Sequence, residues 1–239
     1  MLYNNLIPLE WDTRFFGYSV AKINLNHEGI EKINNLFNQI AIEKIHLTYI
    51  FVSPDDSEII GFLEKKRCAL VDQKTTFSKK AENRLIKNNE IFEFRKKTPT
   101  VKLKKLALLA GQYSRFQNDE NFKNNEYERL YIEWLNNSLL KKLAKKTFIA
   151  KRMQETIGFT TLNYQNNYAE IGLIAVDRKF QGMGVGSDLI YKTENEAVEI
   201  GFNELRVVTQ LNNKAACRLY EKCDFTKKEV TNIFHFWQQ

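Results

Sequence analysis

Hydrophobic and polar residues alternate along the first third of the chain in a way that predicts a small α/β unit. Between Leu9 and about Lys80, stretches with the two-residue period of a strand alternate with stretches that have the period of a helix. The predicted order is strand, helix, strand, helix, strand, over Tyr18–Leu25, Glu28–Lys44, Leu47–Val52, Ser57–Lys66 and Ala69–Phe77. This stretch therefore predicts a β-α-β-α-β unit.

The stretch from Ala81 to Thr100 is polar and charged, lacks a clear period and contains Pro99. Such a segment is typical of a domain boundary. We predict an N-terminal domain over residues 1–95 and a second domain over residues 96–239. The segment Asp12–Gly17, with the aromatic residues Trp11, Phe15 and Phe16, is interpreted as a structural turn without a chemical role.

The second domain is predicted to begin with an amphipathic helix and to continue as a mixed α/β pattern. Its apolar stripe contains Tyr127, Leu130, Tyr131, Trp134, Leu135 and Leu139. Three strands are predicted next, over Phe148–Met153, Thr156–Tyr164 and Tyr168–Val176, and the short polar turns between them favour consecutive antiparallel pairing. The remaining elements are a glycine-rich turn at Gln181–Gly186, a helix to about Ile200, a strand Leu205–Thr209, a helix Lys214–Lys222 and a strand to Trp237.

Composition excludes several classes of protein. With 43% hydrophobic residues, 27% charged residues, 10 Gly and 3 Pro, the chain is predicted to fold and not to be disordered. No uncharged apolar run approaches the ~18 residues of a membrane span, and Met1–Glu10 lacks a basic region before an apolar core. We therefore expect a cytoplasmic protein. The three Cys and three His show neither CxxC nor HExxH spacing, so neither a disulfide framework nor a metal site is expected.

The formal net charge of +7 favours anionic partners such as nucleic acid, acidic membranes or phosphorylated small molecules. The basic residues lie in short clusters and show no long tract with interleaved Gly and aromatic residues. A solvated basic surface is therefore favoured over a nucleic-acid interface.

The turn Gln181–Gly186 lies between a predicted strand and a predicted helix, where backbone N–H groups and the helix dipole favour a phosphate. It is not a dinucleotide fingerprint, because Ser187 stands where the third glycine belongs, and no Gly-Lys-Ser/Thr follows as in a Walker loop. A plain flexible turn remains the alternative at this point.

The run Gly172–Gly186, GLIAVDRKFQGMGVG, resembles the acetyl-CoA motif of the GCN5-related N-acetyltransferases (GNAT), whose signature is Q/R-x-x-G-x-G/A. Gln181, Gly184 and Gly186 match that signature. The resemblance implies that the backbone of the turn, which also contains Gly182, Met183 and Val185, binds the pyrophosphate of acetyl-CoA. It further implies that the preceding strand, with Ile174, Ala175 and Val176, binds the pantetheine arm. Met183 departs from the family, because a basic residue is frequent there.

The resemblance extends over nearly the whole chain. Arg206–Phe225 is similar to the second half of the family domain, with Asn213 at the start of a helix and Tyr220 seven residues later. The resemblance implies that Asn213 helps to bind acetyl-CoA. Upstream, Leu9–Val20 and Tyr113–Leu139 resemble the branch of dTDP-fucosamine acetyltransferases of bacterial surface-glycan synthesis. This implies a GNAT fold with a mostly antiparallel central sheet, plus a smaller, rudimentary GNAT-like α/β domain at the N-terminus.

Three side chains receive catalytic or binding roles from the resemblance. Tyr220 is the expected proton donor to the departing thiolate, and the alternative is a core aromatic residue. Asp72 is the expected base that deprotonates the amine through water; it replaces the expected Glu, and the alternative is an Asp exposed on a strand. Arg115 is expected to pair with the diphosphate of the acceptor, and the alternative is a surface arginine. Cys217 and Cys223 are expected to be buried thiols.

The predicted function is acetyl transfer from acetyl-CoA, as cosubstrate, to the 4-amino group of a nucleotide-linked 4-amino-4,6-dideoxyhexose. The partners predicted are these two small molecules, with no nucleic acid and no membrane span, and a homodimer is left open. The resemblance further implies that the N-terminal domain forms one wall of the acceptor cleft. Two alternatives remain: an acetyltransferase for another amine, such as a protein N-terminus, a polyamine or an antibiotic, and a non-catalytic protein that binds CoA or nucleic acid.

Overall fold

Contacts along the chain divide the molecule into two units, and the computed structural model describes residues 6–87 and 90–238. Unit 1 contains the chain up to Lys74 and again from Val230, whereas unit 2 is the continuous stretch Thr75–Glu229. This division differs from the predicted boundary after residue 95, because the last strand of the chain returns to unit 1.

Unit 1 is an α/β unit whose elements follow the predicted order. They are β1 (Leu6–Pro8), α1 (Glu10–Phe16), β2 (Val20–Leu25), α2 (Ile30–Ile42), β3 (Leu47–Val52), α3 (Ser57–Lys65), the first half of β4 (Ala69–Lys80) and the second half of β10 (Thr226–Trp237). The strand order in the sheet is β1-β2-β3-β10-β4, with β2 and β3 parallel and β10 antiparallel to β3. The sheet therefore encloses β10 between two strands from the first third of the chain.

The two faces of the unit 1 sheet differ in chemistry. One face packs against the apolar sides of α2 and α3, where Leu36 and Leu63 meet Ile50 and Phe234. The spacing of the buried residues of α2, at Ile33, Leu36, Phe37 and Ile40, is that of one helical face. Because side chains alternate across a strand, Tyr49 and His235 point to the opposite face.

The structure corrects the interpretation of Asp12–Gly17 as a turn. Glu10–Phe16 is helix α1, and Gly17 ends it in the left-handed conformation with φ +83°. Glu10 and Asp12 lie in the first turn, where negative charge favours a helix. Its Asp12 side chain accepts a hydrogen bond from the Tyr49 hydroxyl at 3.3 Å, so α1 lies over the face that carries Tyr49.

Unit 2 contains a meander with helices on both faces. Its elements after β4 are β5 (Glu90–Glu93), α4 (Val101–Ala110), α5 (Arg115–Asn118), α6 (Glu126–Leu139), β6 (Lys146–Arg152), β7 (Glu155–Tyr164), β8 (Ala169–Val176), a 3-10 turn (Arg178–Phe180), α7 (Val185–Glu199), β9 (Glu204–Gln210) and α8 (Lys214–Lys222). Strands β5 to β8 pair antiparallel in succession, which confirms the predicted meander, and β8 pairs parallel with β9.

Neighbouring residues of β6 enter different cores, because they point to opposite faces of the sheet. Ile149 packs with α4 and α6, through Leu106 and Leu135 among others. Phe148 packs with α7 and α8, through Ile190 among others. Helix α4 lies just beyond the predicted boundary segment and was not predicted from the sequence.

Residues 81–87, predicted as part of a linker, are held against α7. The backbone N–H of Glu82 donates to Glu194 Oε1 at 3.0 Å, and the N–H of Arg84 donates to Asn195 Oδ1 at 2.7 Å. Beside them, the ammonium of Lys79 lies 2.8 Å from Glu194 Oε1, with side-chain exposures of 2% and 0%. Lys79 also donates to the carbonyl of Cys223 at 2.9 Å. This buried ion pair therefore anchors the end of β4, next to the segment, to the helix.

Candidate active site

The glycine turn is shaped by two glycines in the left-handed region. Gly182 has φ +80° and Gly184 has φ +81°, a conformation that residues with a Cβ rarely adopt. Gly184 precedes the first residue of α7 and offers no side chain to cap it. The first N–H groups of a helix have no acceptor one turn earlier, so they are available to an external anion. The turn is therefore a candidate anion-binding site at a helix N-terminus.

Gln181 and Gly186, the first and last residues of the signature, have structural contacts. Gln181 Nε2 donates to the carbonyl of Val176 at 3.1 Å, which fixes the turn to the end of β8. A Cβ added at Gly186 would lie 2.9 Å from Leu219 Cδ2. Gly186 therefore allows α7 to approach α8 closely, and Val185 beside it is buried against Leu189.

Two basic residues that the sequence reasoning missed lie beside the turn. Arg152 Nη1 is 3.6 Å from Met183 Sδ, so a guanidinium from the end of β6 reaches the place where a basic side chain was expected. A cavity of about 740 Å³ is lined by Glu90, Lys151, Arg152, Met153, Ile157, Phe180, Met183 and Val185. The sequence feature that could have indicated these residues is the adjacent basic pair Lys151 and Arg152, just before the β6–β7 turn.

The end of β8 is paired on one side. Toward β7, Ile174, Ala175 and Val176 pair with Thr160, Phe159 and Gly158 respectively. Toward β9, the ladder of the described residues consists of Ala169–Ile171 against Leu205–Val207. Residues 174–176 therefore lie beyond that ladder, where an extended ligand can hydrogen-bond to the strand backbone.

Helix α8 places Asn213 and Tyr220 in well-defined surroundings. Asn213 Oδ1 accepts the N–H of Ala216 at 3.2 Å and so caps the helix. The Tyr220 ring is 2% exposed and lies with its centroid 5.6 Å from that of Phe77 and 5.9 Å from that of Phe225. Burial raises the pKa of Tyr220 above its ordinary value, so the phenol stays protonated at neutral pH and can act as a donor. Its packing is that of a core residue, and its role as proton donor stays a prediction.

Asp72 lies in unit 1 and Arg115 in unit 2. The Asp72 side chain on β4 is buried, with 8% exposure, so the alternative of an aspartate exposed on a strand is wrong. Arg115 opens the short helix α5, and its guanidinium carbon lies 4.5 Å from the ring centroid of Phe116. The catalytic and binding roles of Asp72 and Arg115 stay predictions.

The cysteines are buried, and the part of the chain that the structure describes contains no cluster of metal ligands. Cys68, Cys217 and Cys223 are buried free thiols, and burial raises the pKa of all three, that of Cys68 to about 12. A raised pKa disfavours the thiolate that a covalent acetyl-cysteine route would need. Within residues 6–87 and 90–238, no group of three or more His, Cys, Asp or Glu side chains could hold a metal ion. In the same ranges no helix combines the length and apolar character of a membrane span.

Comparison with known proteins identifies relatives of both halves. Residues 108–225 match the family model described as the acetyltransferase (GNAT) family. The dTDP-fucosamine acetyltransferase of Escherichia coli O6:H1 is 24% identical over 215 residues, which make up 89% of this chain and 89% of that protein.

Two other relatives match shorter stretches. The spore coat polysaccharide biosynthesis protein SpsD of Bacillus subtilis is 26% identical over 52% of this chain and 43% of that protein. Streptothricin acetyltransferase of Escherichia coli is 39% identical over 30% of this chain and 42% of that protein. The chain thus spans less than half the length of these two relatives.

Solved structures share the architecture at low sequence identity. A functionally unknown conserved protein from Staphylococcus epidermidis has a TM-score of 0.64 at 10% identity, over 93% of this chain and 85% of that chain. A tandem GNAT protein from the clavulanic acid biosynthesis pathway has a TM-score of 0.57 at 11% identity, over 91% and 75%. These likenesses confirm the predicted mixed α/β fold class.

Proposed function

We propose that this chain, of which residues 108–225 match the acetyltransferase (GNAT) family model, acetylates the 4-amino group of a nucleotide-linked 4-amino-4,6-dideoxyhexose with acetyl-CoA, for surface-glycan synthesis. The observation that carries this proposal is the match to the dTDP-fucosamine acetyltransferase over 89% of both chains, because it includes unit 1 as well as the family domain. The similarity to a protein of spore coat polysaccharide biosynthesis supports the same class of substrate.

The residues around the glycine turn fit acetyl-CoA. The N–H groups at the start of α7 would hold its pyrophosphate, because Gly182 and Gly184 leave no side chain in the cradle. The Arg152 guanidinium beside Met183 would supply the positive charge that the turn itself lacks. The end of β8, beyond the β8–β9 ladder, would hold the pantetheine arm by backbone hydrogen bonds.

Acetyl-CoA supplies a thioester whose carbonyl carbon is attacked by the free amine. In the proposed chemistry, Asp72 accepts a proton from the acceptor's ammonium through water, which leaves the neutral amine. Tyr220 donates a hydrogen bond to the departing sulfur, and the second proton, which the nitrogen loses once it has attacked, balances the thiolate so that CoA leaves as the thiol. Full proton transfer from Tyr220 is uphill, since burial raises its pKa further above the ~8.5 of an ordinary thiol. Arg115 is proposed to pair with the acceptor's diphosphate.

The test is a panel of amines incubated with acetyl-CoA while thiol release is measured. It pairs each dTDP-linked 4-amino sugar with the same sugar lacking the nucleotide. We expect the conjugate to have a much higher kcat/KM, because binding of the remote nucleotide helps to position the amine. If peptide amines are acetylated and the dTDP-linked amino sugars are not, the proposed acceptor is wrong and the acetyl transfer stands.

A second candidate acceptor is an antibiotic amine. The match to streptothricin acetyltransferase, at 39% identity over 74 residues, covers less than a third of this chain. A match of 74 residues is shorter than unit 2 alone, so the sugar nucleotide, which the match over 89% of the chain supports, is preferred. Streptothricin belongs in the amine panel, and its turnover in the absence of sugar-nucleotide turnover would favour this candidate. CoA binding without thiol release for any amine would instead indicate a non-catalytic CoA-binding protein.

A further inference from the structure

Buried polar side chains lie together on one face of the unit 1 sheet. Tyr49 on β3 and His235 on β10 are directly opposite each other in the ladder, and both are 1% exposed. Their ring centroids are 4.9 Å apart. The Tyr49 hydroxyl donates to Asp12 of α1 at 3.3 Å, which fixes the phenol at one end. Burying an imidazole and a phenol in a sheet is costly unless both are hydrogen-bonded, so these positions are more than apolar filling.

Asp72 belongs to the same face. Strand β4 is the neighbour of β10, and Gln73 Nε2 donates to Asn232 Oδ1 at 3.1 Å, so Gln73 and Asn232 share one face. Asn232 lies on the face of Phe234, which packs under α2 and α3. Because side chains alternate, Asp72 and His235 both lie on the opposite face, on neighbouring strands.

The polar face of the unit 1 sheet carries acidic and basic side chains that can share one proton. The titratable groups on this face include Asp12 from α1, Lys22 on β2, Tyr49 on β3, Asp72 and Lys74 on β4 and His235 itself. Asp72 and His235 are both buried, and a carboxylate and an imidazole can share one proton. A carboxylate favours the charged form of a nearby imidazole, and the two then titrate as one system.

We propose that Asp72 and His235 form a coupled acid–base pair in unit 1, and that His235 is a positioning residue for the proton that Asp72 accepts. The catalytic part of this inference builds on the proposed function. One proton leaves the acceptor's ammonium, passes through water to the Asp72 carboxylate and is shared with the His235 imidazole. The amine is left neutral with its lone pair free, and the shared proton passes to solvent after acetyl transfer.

The pair can be tested without turnover, by NMR titration of histidine labelled with ¹³C and ¹⁵N. The chain has three His, and the other two, His27 and His46, are exposed. In Asp72→Asn we expect the titration midpoint of His235 to fall by roughly one pH unit or more, since the partner carboxylate is gone. Asp56 caps α3 on the other face of the sheet, so Asp56→Asn is the matched control and should leave the His235 titration unchanged.

Two results would overturn the pair. One is a His235 titration that is identical in the wild type and in Asp72→Asn. The other, which needs no variant and so cannot be lost to misfolding, is a wild-type His235 curve with a single step and no response to the titration of a carboxylate.

The positioning role is tested by the pH dependence of kcat/KM in His235→Asn. We expect a fall of about tenfold or more together with a displaced acidic limb, and Asp72→Glu should retain the limb. A folded His235→Asn variant whose profile keeps the wild-type shape would assign His235 a structural role only. If sugar nucleotides are not acetylated while the two titrations remain coupled, the proposed acceptor fails and the pair stands.

Discussion

Replacing Gly184 with valine tests the acetyl-CoA turn against a control at the other end of the same helix. Gly184 precedes α7 with φ +81°, and Gly201 follows it with φ +95°. An added Cβ at Gly201 would meet no atom within 4 Å. Both substitutions therefore impose the same kind of backbone strain, but only Gly184 lies in the proposed cradle.

The expected magnitudes separate strain from binding. A left-handed backbone costs an L-residue about 1–2 kcal/mol, so Gly184→Val and Gly201→Val should each lower the free energy of unfolding by about that amount. In a chain of this size the melting temperature would fall by about 2–8 °C. If the turn shifts to relieve the strain, its N–H groups leave the pyrophosphate. We expect acetyl-CoA to bind Gly184→Val at least tenfold more weakly, which is about 1.4 kcal/mol.

Calorimetric titration with acetyl-CoA, run beside thermal unfolding of each variant, measures both quantities. The expected result is comparable destabilisation in the two variants and weaker binding in Gly184→Val alone. Unchanged affinity in Gly184→Val, or an equal loss in Gly201→Val, would refute the assignment of the site.

Three further predictions concern single side chains. Tyr220→Phe should lower kcat by roughly 100-fold to 10,000-fold with little change in acetyl-CoA affinity; near wild-type turnover, where chemistry limits the rate, would leave Tyr220 a core aromatic. Asp72→Asn should raise the apparent pKa of the acidic limb of the rate profile or abolish the limb, and unchanged rates between roughly pH 6 and 9 would assign deprotonation to another group. Glu194→Gln leaves the Lys79 ammonium buried beside an uncharged amide, so we expect a loss of about 3–5 kcal/mol in the free energy of unfolding. Glu199 is exposed on the same helix, so the matched change Glu199→Gln should alter the free energy of unfolding by no more than about 0.5 kcal/mol. Equal losses for the two variants in a denaturant titration would show that the ion pair is not a major anchor.

The local pattern of apolar and polar residues was sufficient to predict the helices and strands that bury a single face. The predicted strand Leu47–Val52 agrees with β3 to the residue. Helix α4 directly follows the predicted boundary segment Ala81–Thr100 and was missed, although Thr100 caps it and its buried residues have helical spacing. Strand β5 has only four residues, too few for a two-residue alternation to stand out.

Features that depend on distant partners could not be predicted from local pattern. The burial of Asp72 depends on the tertiary packing around β4, which no local pattern reports. Arg152 lies beside Met183, but the two are 31 positions apart in the sequence. The glycine-rich turn is the opposite case, because the sequence placed it between a strand and a helix, and the structure adds that Gly182 and Gly184 adopt positive φ there.

The place of β10 in unit 1 has a consequence for how the chain is synthesised. Strands β1, β2 and β3 leave the ribosome first, but the partner that pairs with β3 is made only after all of unit 2. Until then, the edge of β3 exposes unpaired backbone groups, which can template pairing with another chain. Unit 2 is continuous in sequence and can fold during this interval, which reverses the usual order in which the N-terminal unit folds first. A fragment ending near residue 95 would retain this open edge permanently and is expected to aggregate.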